Sequence, residues 1–287
     1  MSARSLDSLP RPPRAFDIAR RRTSKFETKE ATQKEDRQRI RALRNYPGRS
    51  AVEQRKCNRL ARRIHQAAAE EGIVLASSQS MRDYRGRCIG ELWRLSRGKR
   101  TYFVTLIPRG MSVTPDELEE HDPTADIQWL RVTLGRLGAN VSARGWIYGY
   151  LEGEYNPATG KIQLHYHVIV QGLAMLDAIE RLREHSRFLR LPGAANNPDG
   201  IDVRVHGKRV RQCHLPEVIS YTTKGAWYSR WRGTDLEGRR TSQANRCRVP
   251  EPANTKVLLW LDRWRVSDMT MLINLRVGRE GLVPRRR

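Results

Sequence analysis

Two histidines separated by one residue form the motif with the clearest chemical potential. His165 and His167 lie in the segment 161–172, which alternates apolar and polar residues between the turn-forming residues 156–160 and Gly172. This pattern predicts a β-strand, in which alternate side chains share a face. Two imidazoles on one strand face can bind one divalent metal ion. The alternative is that both histidines only hydrogen bond on a half-exposed sheet.

A carboxylate is expected opposite the two histidines. The segment 146–155 predicts a second strand, and the loop 156–160 joins it to the histidine strand as an antiparallel hairpin. Glu152 and Glu154 share one strand face, and we favour Glu152 as the third ligand, with Glu154 as the alternative. Such a site leaves positions open for water or substrate and suits Mn²⁺ or Mg²⁺ acting on a phosphate. Alternatively, both glutamates only solvate the hairpin edge.

A tyrosine and a lysine three residues apart supply a candidate nucleophile and a cation. Pro216 opens a predicted helix over 217–228, which would place Tyr221, Lys224 and the preceding Glu217 on one face. A phenol is a weak nucleophile at neutral pH, but a nearby ammonium group and a metal-polarised phosphate make its attack feasible. Tyr-x-x-Lys is also common on ordinary surface helices, so its meaning depends on the other motifs.

The elements that must position these residues predict an α+β fold. The segment 101–107 is a predicted buried strand, 126–137 and 176–188 are predicted amphipathic helices, and 201–205 is a predicted short strand. With the hairpin and the tyrosine helix included, the order of elements favours a central, mainly antiparallel β-sheet with flanking helices.

The chain divides by composition into a core and two basic flanks. Residues 1–95 are predicted as an N-terminal extension, partly disordered and partly helical, and residues 231–287 as a C-terminal extension that could complete the core. Between them lies the predicted core, 96–230. In the N-terminal extension, 27–43 is so rich in charge that we expect a solvated helix, and Ser50 is expected to cap an amphipathic helix.

Charge and composition restrict the class of protein. The 287 residues carry a formal net charge of +23, which indicates a polyanionic partner, with nucleic acid as the first choice. No apolar run approaches the roughly 18 residues of a membrane span, and the first residues lack the apolar segment of a secretory signal. The four cysteines are scattered and form no Cys-x-x-Cys pair, so we expect a reducing, cytoplasmic location.

The order of the motifs resembles that of the HUH endonuclease superfamily, in its rolling-circle replication initiator (Rep) branch. The strand Phe103-Val104-Thr105-Leu106 resembles the first motif, His165-Tyr166-His167 the histidine motif, and Tyr221 with Lys224 the nucleophile motif. The resemblance covers about residues 102–228 and implies that the core is an HUH nuclease domain with a ferredoxin-like or RRM-like layout. The first motif departs from the usual Thr-Leu-Thr, so this strand supports the fold more than the chemistry.

The resemblance implies metal-dependent nicking and joining of one DNA strand at a replication origin. Tyr221 would attack the scissile phosphate, leaving a 5′-phosphotyrosine and a free 3′-OH. His165, His167 and Glu152 would hold Mn²⁺ or Mg²⁺, and Lys224 would position the phosphate, the ion or the phenol.

The same resemblance suggests a role for Glu217 and a set of partners. In a subgroup of plasmid initiators, a glutamate one helical turn before the tyrosine activates water to end the cycle, and Glu217 matches that position. Its other explanation is a first-turn carboxylate favoured by the helix dipole. The expected partners are single-stranded origin DNA and the flanking duplex, which the basic flanks would bind. Because the chain lacks the Gly-x-x-x-x-Gly-Lys motif of a fused helicase, a host helicase is expected as a further partner. A single-tyrosine HUH transposase and a non-catalytic basic DNA-binding regulator are the alternatives.

Three further residues beside the tyrosine helix have open interpretations. Trp227 and Trp231 alternate with basic residues and either stack on single-stranded bases or pack in the core. His214 precedes the helix and is interpreted as an ordinary loop histidine.

Overall fold

The structure is a computed structural model of the chain. It describes residues 5–9, 27–47, 50–67, 72–139, 145–189, 201, 203–225, 227–230, 232–234, 240–242, 247–279 and 281–285. Within these ranges, no helix has both the length and the apolar content that crossing a membrane requires.

The strands of the described residues are short except for one long hairpin. They are β1 (Thr101–Leu106), β2 (Ser112–Val113), β3 (Trp146–Asn156), β4 (Lys161–Gln171), β5 (Val205–Val210), β6 (Tyr228–Ser229), β7 (Arg232–Thr234), β8 (Arg240–Ser242), β9 (Cys247–Arg248), β10 (Thr270–Ile273), β11 (Leu275–Gly278) and β12 (Gly281–Pro284). The hairpin β3–β4 is the predicted one, and Gly160 closes its turn with a φ of 66° that favours glycine.

A central sheet of eight strands contains this hairpin. The strand order is β5–β1–β4–β3–β6–β9, with β10 also paired to β3 and β2 to β4. Every pairing is antiparallel except that of β3 with β6. Helices flank this sheet, so the prediction of an α+β fold with a mainly antiparallel sheet is confirmed.

Seven α-helices of eight residues or more lie in the described part of the chain. They are α1 (Lys29–Asn45), α2 (Ala51–Gln66), α3 (Ser78–Ser96), α4 (Pro123–Leu134), α5 (Leu173–Arg181), α6 (Leu215–Thr222) and α7 (Ala253–Leu261). The Ser50 side chain accepts a hydrogen bond from the Glu53 backbone N–H, so the predicted N-cap of α2 is confirmed. Short 3₁₀ turns connect several of these elements.

The helices before the sheet share its hydrophobic core. Leu43 of α1, Leu60 of α2 and Leu92 of α3 are fully buried in one cluster with Val104 of β1 and Tyr166 of β4. Helix α3 packs against α6, and α1 packs against both α2 and α3. These contacts tie the N-terminal helices to the helix that carries the candidate nucleophile.

Helix α1 is not the solvated helix that its charge predicts. Besides Leu43, its charged residues Asp36 and Arg39 are buried, because both find hydrogen-bond partners on other elements. A buried face made partly of charged residues has no apolar periodicity, so the sequence pattern could not reveal it.

Helix α6 is shorter than predicted. It ends at Thr222 instead of continuing to 228, so the expectation that Lys224 lies on the helix is wrong. The hydroxyls of Thr222 and Thr223 donate back to the carbonyls of Val218 and Ile219, at 2.9 and 3.4 Å. Such side-chain bonds to the backbone compete with helix continuation.

The strand predicted at 201–205 lies further along the chain. It begins at Val205 and ends at Val210, which makes β5 an edge strand of the central sheet.

Candidate active site

Two strands bring three metal-ligating side chains together. In the β3–β4 register, Glu152 lies opposite His165, and Tyr150 lies opposite His167. One ligand atom from each of Glu152, His165 and His167 lies within 4.8 Å of the other two. The Nε2 atoms of the two histidines are 3.3 Å apart, and His167 Nε2 is 3.4 Å from Glu152 Oε2. All three residues are buried, with 2 to 8% of their surface exposed.

Hydrogen bonds on the far side of each imidazole orient the two rings. His165 Nδ1 lies 3.1 Å from the Gln163 carbonyl oxygen, which can only accept, so Nδ1 carries the proton and Nε2 presents its lone pair to the cluster. His167 Nδ1 lies 3.1 Å from the hydroxyl of Thr105, its partner across β1 and β4. A hydroxyl donates or accepts, so it permits the same tautomer at His167.

The Glu152 carboxylate is satisfied on one oxygen only. Lys224 Nζ donates to Oε1 at 2.8 Å, whereas no donor in the described residues hydrogen bonds to the buried Oε2. A buried carboxylate oxygen without a donor is costly unless a cation approaches it. Because this oxygen faces two imidazoles, the three residues fit a metal ion, and the cluster can bind one. Glu154 instead lies 3.6 Å from Arg230 Nε, outside the cluster.

The protonation of His165 favours metal binding. Burial lowers its pKa most strongly; the charge of Glu152 opposes that shift, and the ammonium group of Lys224 adds to it. His165 is therefore neutral near pH 7, the state in which an imidazole ligates a metal.

The candidate nucleophile lies directly beside this cluster. The Tyr221 ring centroid is 4.8 Å from that of His167 and 5.8 Å, edge to face, from that of Phe103. Lys224 Nζ lies 3.6 Å from the Tyr221 ring centroid, so its ammonium group contacts both the phenol ring and Glu152. Lys224 lies after the end of α6, and the loop that follows the helix places its side chain against Tyr221.

Tyr221 and Lys224 also line a cleft of about 970 Å³. Six cationic and two acidic side chains line it, together with His214: Arg85, Lys208, Arg209, Arg211, Lys224, Arg230, Glu27 and Glu217. The cleft is therefore strongly electropositive, with the candidate nucleophile in its wall.

Several lining residues were missed or interpreted differently at the level of sequence. His214, interpreted as an ordinary loop histidine, lines the cleft together with Glu217 and Tyr221, which follow it on α6. Arg85 from α3 also lines the cleft and forms an ion pair with Glu27. Nothing in local sequence pattern links Arg85 to Tyr221, because only the packing of α3 on α6 brings them together.

Trp227, which follows α6, has a structural role. Trp227 is buried, and its ring centroid is 5.4 Å from that of Trp260. Its ring also lies against Gly153, where a Cβ atom would be 2.5 Å from two ring carbons. Of the two interpretations of Trp227, packing in the core is therefore the correct one. Trp231 lies outside the described residues.

Comparison with protein-family models, with curated proteins and with solved structures found no match to this chain. The function is therefore argued from the chemistry and geometry of the site.

Proposed function

We propose that the protein is a metal-dependent enzyme that nicks and rejoins single-stranded DNA, with Tyr221 as the nucleophile. Its closest description is a single-tyrosine HUH endonuclease acting as a rolling-circle replication initiator. The observation that carries this proposal is the position of the Tyr221 ring, 4.8 Å from a histidine of the metal-binding cluster and in the wall of an electropositive cleft.

The substrate is proposed from the charge of the cleft. Arginine and lysine side chains that neutralise phosphates account for most nonspecific affinity for nucleic acids. Lys208 and Arg209 are exposed on the edge strand β5, and Arg211 follows that strand. Because all three line the same cleft as Tyr221, they can bind the backbone of a strand whose phosphate lies at the phenol.

The proposed reaction exchanges one phosphodiester bond for another. The Tyr221 oxygen forms a bond to phosphorus while the bond from phosphorus to the 3′ oxygen breaks. The phenol loses its proton, the leaving oxygen gains one, and the products are a 5′-phosphotyrosine and a 3′-OH. The Lys224 ammonium group stabilises negative charge as it develops on the phenol. A Mn²⁺ or Mg²⁺ ion held by Glu152, His165 and His167 would polarise the scissile phosphate.

The reverse reaction rejoins the strand, because attack of a 3′-OH on the phosphotyrosine restores the phosphodiester and releases Tyr221. We assign Glu217 to the alternative outcome, hydrolysis of the phosphotyrosine. Water forms a bond to phosphorus while the bond from phosphorus to the Tyr221 oxygen breaks, so the DNA leaves with a 5′-phosphate and the phenol regains its proton. Its position supports this assignment, because Glu217 lies one helical turn before Tyr221 on α6 and lines the same cleft. In the proposed step its carboxylate accepts a proton from the attacking water.

The experiment that tests this function is covalent capture of DNA. Purified protein is incubated with Mn²⁺ and a random-sequence pool of single-stranded oligonucleotides, labelled at either the 5′ or the 3′ end, and resolved on a denaturing gel. We expect a protein-linked band with the 3′ label only, because the tyrosine retains the downstream fragment. EDTA should abolish the band.

Two tyrosines in the cleft provide a matched pair of variants. Tyr221→Phe should eliminate the adduct and keep DNA binding. Tyr228→Phe should retain the adduct, because Tyr228 lies on β6, where its hydroxyl donates to Glu27 at 3.4 Å. An adduct from Tyr221→Phe, or wild-type protein that binds DNA and never forms an adduct, would reject the enzyme in favour of a non-catalytic DNA-binding regulator.

Flanking duplex DNA is the second proposed partner. On α1, the exposed residues Lys34, Arg37 and Arg41 follow helical spacing, and on α2 the same is true of Arg55, Arg59 and Arg62. Each of these basic stripes suits contact with phosphates of a duplex.

Salt titration of duplex binding tests the α2 stripe. Replacing its three arginines by alanine should lower the log–log salt slope by about 0.9 for each phosphate that the variant no longer neutralises. A triple variant of the exposed Arg263, Arg265 and Arg276 removes the same charge elsewhere and serves as the control. An equal fall in slope for both variants would show that net charge alone matters.

A further inference from the structure

A buried arginine of the N-terminal extension reaches the loop that carries Lys224. Arg39 of α1 is 3% exposed and donates from Nη2 to the carbonyl of Gly225 at 2.9 Å, across 186 positions of sequence. It also donates from Nη1 to the carbonyl of Ala76 at 2.8 Å and from Nε to Glu35 Oε1 at 3.1 Å. Each nitrogen of the guanidinium group therefore has a partner on a different segment.

Burying a guanidinium group costs free energy, which indicates that the direction of its hydrogen bonds is important. A guanidinium group loses hydration on burial, and an apolar side chain of similar size often holds two elements together as well. What an apolar side chain cannot do is fix a backbone carbonyl in one direction. The rigid, planar fork of arginine does this through bonds at set angles, and lysine cannot reproduce it.

The loop is also confined from its other side. A Cβ atom at Gly225 would lie 2.9 Å from the Met81 Cβ and 3.5 Å from Arg85 Nη2, both on α3. Gly225 is thus packed against α3 while Arg39 of α1 holds its carbonyl. Lys224, the preceding residue, has its ammonium group 2.8 Å from Glu152 Oε1 and 3.6 Å from the Tyr221 ring centroid.

We infer that Arg39 is a positioning residue that holds the Gly225 carbonyl and thereby keeps the Lys224 ammonium group between Glu152 and Tyr221. This inference rests on the proposed role of Lys224 in DNA nicking. It gives the N-terminal helix α1 a part in catalysis, although none of the described residues of α1 lines the cleft.

A double-mutant cycle tests the coupling. Arg39→Lys keeps the charge and removes the fork, and it should slow single-turnover adduct formation about 10- to 100-fold, as small displacements of catalytic groups do. In a Lys224→Ala background, the same substitution should slow the reaction less than about twofold further, because the two residues act as one unit. Equal slowing in both backgrounds would overturn the inference.

Two more variants separate positioning from general destabilisation. Arg204→Lys is the matched control, because Arg204 is equally buried but donates to the carbonyl of Ile107 at 3.4 Å, and its adduct rate should stay near wild type. Gly225→Ala retains Arg39 and displaces the loop through its clash with Met81. It should slow adduct formation as Arg39→Lys does, and slow it less than about twofold further in the Lys224→Ala background, even where Arg39→Lys folds poorly.

A second readout does not depend on nicking. The rate at which an acetylating reagent labels the Lys224 amine is measured by mass spectrometry in the folded proteins. Labelling should increase several-fold in Arg39→Lys and in Gly225→Ala, and stay unchanged in Arg204→Lys. If wild-type protein forms no adduct, the proposed function fails while this measurement still decides the positioning. Unchanged labelling in both loop variants would overturn it.

Discussion

Two buried polar clusters of this protein are built from similar groups and differ in how completely they are satisfied. In the first, both oxygens of Asp36 accept hydrogen bonds where α3 begins: from the Ser77 hydroxyl at 2.7 Å and from the backbone N–H groups of Ser78 and Gln79 at 2.6 and 3.1 Å. In the second, Glu152 Oε2 has no hydrogen-bond donor among the described residues. Burial does not separate the two carboxylates, because Asp36 is 7% exposed and Glu152 is 2% exposed.

This difference in hydrogen bonding distinguishes a cluster that stabilises the fold from one that can take part in chemistry. A carboxylate whose acceptors are all used holds an element in place, and Asp36 fixes the N-terminus of α3. The other kind of carboxylate has an oxygen without a hydrogen bond, next to imidazoles whose nitrogen atoms point to the same place. Such a cluster can bind a cation from outside the chain. We therefore expect the first cluster to control stability and the second to control metal binding and catalysis, and each prediction below tests that division.

The largest effect is expected from His167→Ala. Removing one of the three candidate ligands should eliminate measurable Mn²⁺ binding and reduce adduct formation by about 10³-fold or more, since catalytic groups that act as a unit lose most of their effect when one is removed. Titration calorimetry and the denaturing gel measure the two quantities. The free energy of unfolding of the metal-free protein should fall little, because the cluster from which the histidine is removed already contains a buried polar atom without a hydrogen bond. Retained metal binding would show that Glu152, His165 and His167 do not form the site.

A smaller loss is expected from Thr105→Val, which removes the hydroxyl 3.1 Å from His167 Nδ1. Loss of such an orienting partner typically weakens metal affinity about 10- to 100-fold. Thr101→Val is the control, because Thr101 lies on the same strand and its hydroxyl donates to the carbonyl of Lys99 instead. Equal Mn²⁺ affinity in both variants would rule out an orienting role for Thr105.

Asp36→Ala should produce the opposite pattern. Because two backbone N–H groups and one hydroxyl lose their acceptor in a buried place, we expect a loss of about 2–3 kcal/mol in the free energy of unfolding. Urea denaturation measures this loss. The affinity of the folded protein for Mn²⁺ should remain that of the wild type. A variant with normal stability and weakened metal binding would break the division between the two clusters.

The smallest effect concerns pH. The pKa of His165 is lowered in the folded state, mainly by burial, from its ordinary value of 6.5. As pH falls below about 6.5, His165 takes up a proton in the unfolded chain but stays neutral in the folded chain. The metal-free protein therefore loses stability as the pH falls. His165→Gln should flatten the unfolding free energy between about pH 5 and 7. Identical pH profiles for both proteins would contradict the lowered pKa.

The site could be predicted from sequence where strand alternation alone determines geometry. A strand repeats every two residues, so His165 and His167 must share a face, and the short turn sets Glu152 opposite them. Strand β1 and most helices were also predicted from the pattern of their apolar residues, whereas the short strands β2, β6 and β9 of the central sheet were not.

The remainder depends on contacts that leave no periodic pattern. Helix α6 ends at Thr222, where the hydroxyls of Thr222 and Thr223 donate to the backbone, so Lys224 approaches Tyr221 from a loop. Arg39 belongs to a helix whose charge predicts solvation, and only tertiary hydrogen bonds give it a buried place. Such long-range polar contacts are specified by the complete fold.

The close packing of Trp227 on Gly153 restricts which substitutions these two positions can accept during evolution. Glycine at 153 supplies space, because any larger residue would collide with the indole ring and with Ile162 on β4, next to Glu152. A larger residue at 153 alone would displace the strand that carries Glu152. Among descendants of a common ancestor, positions 153 and 227 should therefore vary as a pair, with a larger residue at 153 only where 227 has lost its indole.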